Sequence, residues 1–179
     1  FTRLFRAYFI SQIAKYLPGG FWATLARNYY YSREGIPVAS TMVLLFVEIT
    51  VSLVAGVMVF ALSFPFWASQ VPQLRMILVT LLVPIGFLLL HPKHLKWLSN
   101  RLLGRIARTP IEVPFNYAGL LQCLGIYFMF WLCSGVMFWV FARAMVSGAI
   151  PLAVSMGVLP AAWAIGLLSI ITPGGLGVR

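Results

Sequence analysis

Glu48 is the residue whose position most demands a chemical explanation. It sits near the middle of Val38–Phe64, a 27-residue run with no other charge. A charged side chain at that depth of a bilayer costs about 2.5–3.5 kcal/mol on insertion scales, so it must face protein or water and find a partner or a proton. The cations available for that role are Arg27, Lys15 and Arg179. An intramembrane acid of this kind serves a polar pathway or an inter-helix salt bridge, and both readings stay open here.

Two of those cations follow a Pro-Gly-Gly step. The first step lies in Lys15-Tyr16-Leu17-Pro18-Gly19-Gly20-Phe21-Trp22, with Arg27 beyond it. The second lies in Ile171-Thr172-Pro173-Gly174-Gly175-Leu176-Gly177-Val178-Arg179. Proline removes a backbone donor and glycine is a poor helix former. Unwound backbone at membrane depth survives only where protein buries it or it lines a cavity. Interrupted apolar segments in both halves of a chain are a sequence pointer to a transport site. Guanidinium groups suit phosphate because they donate in a planar fork and keep their charge. Freed amides near Gly19, Gly20, Gly174 and Gly175 would add anion donors. These four glycines, with Arg27, Glu48 and Arg179, form the expected substrate-binding set. Arg33 reads instead as snorkelling to headgroups.

Other chemistry is poorly provided for. The acids are Glu34, Glu48 and Glu112 only, and two of them lie in connectors. An active site for acyl or phosphoryl transfer is hard to build from them, so no catalytic residue is expected. His91 and His94 have no nearby Cys or acid, which is too few ligands for a metal. No cofactor is expected: Gly174-Gly175-Leu176-Gly177 lacks the Lys and Ser/Thr of a phosphate-binding loop. Cys123 and Cys133 are ten apart in one apolar stretch. On a straight helix that separates them by about 15 Å along the axis, which excludes a disulfide.

The elements that must position this set read as membrane helices. Hydrophobic residues make up 61% of the 179, charged residues 9%, and mean hydropathy is +0.95. Soluble domains carry about 25% charged residues, so hydrocarbon must be the main solvent. Spans are expected at about 38–64, 74–90, 117–142 and 150–172, with Pro84 and Pro160 interrupting the second and fourth. Residues 7–31 form two short arms around Pro18-Gly19-Gly20, read as a re-entrant hairpin in preference to interfacial helices. In 91–116, Leu95, Leu98, Leu102 and Ile106 share one helical face, and Lys93, Lys96, Arg101, Arg105 and Arg108 share another. That is the pattern of a basic interfacial helix, or of a solvated connector.

The net charge of +10 is concentrated. Residues 1–35 and 91–116 each hold five Lys/Arg, against Arg75 and Arg143 on the opposite side. This bias puts both basic segments in the cytoplasm. The implied partners are membrane lipids with anionic headgroups, not nucleic acid, since no soluble recognition module is present. The expected class is an all-α polytopic membrane protein, multi-pass in the inner (cytoplasmic) membrane. The ends read as an internal piece of a longer polypeptide, and the oligomeric state is open.

Lys15-Tyr16-Leu17-Pro18-Gly19-Gly20-Phe21-Trp22 with Arg27 resembles the first signature of the lysylphosphatidylglycerol synthase/flippase-like membrane domain family. Glu48 stands where that family carries an acid in the following helix. Thr172-Pro173-Gly174-Gly175-Leu176-Gly177-Val178-Arg179 resembles its second signature, which usually continues with an acid that this chain lacks. The resemblance covers residues 8–60 and 165–179. It implies an envelope membrane protein, in which some relatives move aminoacylated phosphatidylglycerol between leaflets and others are linked to polyprenyl-phosphate sugars. The leading expectation is a flippase-like lipid-transport domain. The alternatives are the membrane portion of a lipid-modifying transferase, such as a phosphatidylglycerol aminoacyltransferase, with its catalytic domain elsewhere, or a scaffold for envelope synthesis.

Overall fold

The computed structural model describes residues 2–14, 22–66, 90–107, 116–145 and 150–168, with single positions at 84, 86 and 88. Among the described residues the chain is helical with no strand. We number the helices α1 (Thr2–Ile13), α2 (Trp22–Arg33), α3 (Val38–Ser63), α4 (Pro92–Ala107), α5 (Tyr117–Met145) and α6 (Leu152–Leu168). Helices α3 and α5 are long and apolar enough to cross a bilayer. Among their hydroxyls, Thr50 Oγ1 donates to Phe46 O at 2.8 Å and Ser134 Oγ to Phe130 O at 2.8 Å. Lipid offers no water to do this, so back-bonding is the economical solution.

The core is the packing of α3, α5 and α6. Small residues let the backbones approach. A Cβ on Gly135 would lie 2.6 Å from the Met156 Cα, and one on Gly56 would lie 3.2 Å from the Pro160 Cβ and 3.3 Å from the Trp131 indole nitrogen. Trp131 is buried, donates to the Ser52 carbonyl at 3.0 Å, and meets Trp163 with its ring tilted at a centroid distance of 5.6 Å. Such close approach drives helix association where both alternatives are apolar. Helix α6 runs unbroken through Pro160, which is fully buried against this seam.

The pairings also fix direction. Ser52 and Gly56 of α3 meet Trp131 of α5, and Glu48 faces Tyr127, one turn earlier on both helices. Helices α3 and α5 are therefore parallel. On α6, Trp163, Met156 and Ile150 meet Trp131, Gly135 and Trp139 in turn, so α6 is antiparallel to both. Parallel α3 and α5 oblige the chain to return between residues 66 and 117. Most of the expected span 74–90 lies outside the described residues. Of it, Pro84, Gly86 and Leu88 are helical, and Gly86 sits against Val54 of α3. Helix α4 follows, anchored to the bundle by Leu95, which is fully buried.

A tight turn joins α2 to α3. Gly35 takes φ +83°, the left-handed conformation that glycine alone adopts cheaply. Ile36 N donates to Tyr31 O at 3.0 Å and Gly35 N to Ser32 O at 3.1 Å. This is the paired Schellman arrangement that ends a helix, and Pro37 then blocks its continuation. The chain reverses within four residues and lays α2 along the first half of α3. Helices α1 and α2 pack on one another.

Candidate functional site

The turn at 34–37 sets up the site. Arg27 lies about 9 Å before the end of α2 and Glu48 about 15 Å into α3, so a reversal at Gly35 brings them side by side. Arg27 Nη1 donates to Glu48 Oε2 in a salt bridge. Of the three candidate cations, Arg27 is the one among the described residues, and it pairs with Glu48. Arg27 is only 6% exposed. Glu48 keeps 30% of its side chain open. The carboxylate is thus the face of the pair that a solute could reach.

Helices α1 and α5 close the cluster. Tyr8 donates to Glu48 Oε1 at 3.4 Å, and its ring lies under the Arg27 guanidinium, 4.5 Å from centroid to carbon. A desolvated cation over an aromatic face gains about 2 kcal/mol or more. Tyr127 of α5 lies within electrostatic reach of both Glu48 and Tyr8. Four helices therefore converge on one carboxylate. The composition around it is a cation, an anion and two phenols.

Hydrogen bonding is incomplete at this point. Among the described residues, buried Arg27 Nε has no acceptor, and neither does Gln12 Nε2. Gln12 stands one turn from Tyr8 on the same face of α1. Asn28, next to Arg27, spends its amide on Thr24 O at 3.1 Å and leaves its carbonyl oxygen unpaired. Buried polar groups in native proteins are nearly always satisfied, so an unmatched donor on the arginine of a salt bridge is unusual.

The remaining expected residues fall differently. Gly19, Gly20, Gly174, Gly175 and Arg179 lie outside the described residues, as do Pro18, Pro173 and Lys15. Arg33 is exposed and rests over the Tyr29 ring at 5.1 Å, away from the pair. His94 Nδ1 bonds Leu88 O at 2.8 Å, and His91 Nδ1 accepts from Lys93 N at 3.3 Å, so both rings serve the start of α4. Cys123 and Cys133 are free and exposed. Tyr8, Gln12, Asn28 and Tyr127 were not singled out in the sequence. The signal for Tyr8 and Gln12 was their spacing of four, which puts two polar tips on one face of α1. Tyr127 gave none beyond being a hydroxyl inside an apolar run.

The family model for the lysylphosphatidylglycerol synthase TM region matches residues 1–179, a wider extent than the two motif-bearing stretches. Searches of curated proteins and of solved structures found no match. The whole-length match agrees with an all-helical architecture holding two membrane-long apolar helices. The chain belongs to the lysylphosphatidylglycerol synthase transmembrane-region family, a membrane domain with a lipid-related role.

Proposed function

We propose that this domain translocates a lipid, a phospholipid or a polyprenyl-linked lipid, across the cell's inner membrane, and that the Arg27–Glu48 cluster is the headgroup station. The observation that carries this reading is the buried, unmatched Arg27 Nε beside a Glu48 side chain that is 30% exposed, with the unmatched Gln12 Nε2 one turn from Tyr8 on α1. A lipid phosphate accepts from both, and Glu48 balances the arginine or receives a cationic headgroup. Helices α1 and α2 have 12 residues each, about 18 Å, and cannot span a core of about 30 Å. A re-entrant hairpin of that length carries its tip to about mid-membrane, the depth at which a headgroup must be sheltered. Gly19, Gly20, Gly174, Gly175 and Arg179 complete the station in this proposal.

A second reading has one observation in its favour. Arg27 and Glu48 pair with each other, as a purely architectural bridge in a membrane scaffold would. Arg27→Lys separates the two. It keeps a cation opposite Glu48 but removes Nε and the planar fork. In liposomes, headgroup translocation is expected to fall at least tenfold while helix content and melting stay close to wild type. Gln12→Leu, which leaves the salt bridge intact, is expected to slow translocation too. Wild-type lipid movement in both variants would sink the headgroup station and leave the scaffold.

A further inference from the structure

We propose that α4 is a docking edge for anionic phospholipid headgroups at the boundary where α3 and α5 begin, a site separate from the Arg27–Glu48 cluster and independent of what that cluster does. The position comes first. Leu95 is fully buried in the core cluster that also holds Leu90, Leu120 and Leu124, and α4 packs against α3. The His91 ring lies 6.3 Å from the ring of Tyr117, the residue that opens α5. That places the helix at a membrane end of the bundle, among the aromatic residues that mark the interface.

The outward face comes second. Lys93, Trp97 and Arg101 recur every fourth residue and cover an arc of about 80°, while Leu95 lies about 160° from Trp97 around the helix. All three are exposed, Trp97 at 60%. The Arg101 guanidinium stacks 5.2 Å above the Trp97 ring. The stack holds the fork of Arg101 in place, with Lys93 one turn to the other side of the indole. No acid occurs between His91 and Ile111, so nothing within this segment neutralises the edge. A tryptophan with its ring in the headgroup layer, flanked by two cations, matches a phosphodiester that lacks a compensating ammonium.

The choice of partner follows from the charge. Leu95, on the side of α4 opposite Trp97, is buried by protein, while the Lys93–Trp97–Arg101 side presents two exposed cations. An anionic surface attracts each nearby cation with a gain of about fivefold in association. A zwitterionic surface gives no such gain.

The test uses the full chain reconstituted in phosphatidylcholine membranes with spin-labelled phosphatidylglycerol or spin-labelled phosphatidylcholine. The motionally restricted fraction at the protein boundary is read by electron paramagnetic resonance. Wild type is expected to prefer phosphatidylglycerol, and the preference is expected to shrink as salt rises. Lys93→Gln and Arg101→Gln should each lower it about fivefold. Arg143→Gln, at the far end of α5, should leave it unchanged, and circular dichroism on the same samples should show unchanged helix content. Equal restriction of the two lipids overturns the proposal. So does a preference that survives Lys93→Gln/Arg101→Gln, the outcome expected if the edge serves an acidic protein partner. A preference that drops as far in Arg143→Gln overturns the assignment to α4.

Discussion

Removing the charge of Glu48 should cost more than removing the charge of Arg27, although they form one salt bridge. Glu48→Gln leaves the guanidinium of Arg27 in place, 6% exposed, with no anion opposite it. Breaking a buried pair by deleting one partner costs about 3–5 kcal/mol. Glu48 is 30% open to its surroundings, which screens the pair and brings the expected cost to about 2–3 kcal/mol. The Tyr8 ring offsets a little of this, since it faces the cation from the other side. Arg27→Gln leaves the more accessible partner, which still accepts from Tyr8, so about 1–2 kcal/mol is expected. The double variant Arg27→Gln/Glu48→Gln retains neutral groups that bond each other, and the coupling in the cycle should be about 2 kcal/mol, close to thirtyfold. The assay is equilibrium unfolding in detergent micelles for wild type, both single variants and the double variant. Equal costs for the two single changes, or a coupling under about 0.5 kcal/mol, would refute the claim that Arg27 is desolvated and held by Glu48.

Four further outcomes follow from the packing and the α2–α3 turn. Gly135→Ala should destabilise by about 1–3 kcal/mol, because its Cβ would meet the Met156 backbone at 2.6 Å. Gly125→Ala, where nothing lies within 4 Å, should be neutral or slightly stabilising in the same thermal melts. Trp131→Phe removes the donor to Ser52 O and should lower stability by about 1–3 kcal/mol, read from the unfolding midpoint. Gly35→Ala forces a side chain onto φ +83° and should cost about 1–2 kcal/mol in the same measurement, with α2 loosened from α3 first, seen as faster amide exchange in residues 22–33.

The depth of legibility differed from residue to residue. The all-helical membrane class was readable because hydropathy is a sum over many residues and hydrocarbon tolerates no other backbone solution than a helix or a closed barrel. The family was readable from two short motifs in order with an acid between them. The partner of Glu48 was readable only as a choice among Arg27, Lys15 and Arg179. Glu34, Gly35 and Ile36 form a turn tight enough to lay α2 against α3, which brings Arg27 to Glu48. The glycine and the following proline were visible as a helix stop, but how closely the helix beyond would pack was not.

The amino-acid sequence by itself determined that this protein lives in a membrane, that it is helical, and that an acid near the middle of a span must be compensated. Those are consequences of transfer energies, which depend on residue type and run length and on nothing remote. Only the tertiary structure showed that Arg27 pairs with Glu48, that Tyr8 and Tyr127 join them from two other helices, and that Arg27 Nε is left without an acceptor among the described residues. The same holds for the parallel run of α3 and α5, and for the burial of Leu95 that turns Lys93, Trp97 and Arg101 outward. Those facts depend on small residues such as Gly56 and Gly135 meeting particular partners more than 20 positions away in the chain. Close packing between helices in an apolar solvent depends on the shapes of both surfaces at once, and a single stretch of sequence holds only one of them.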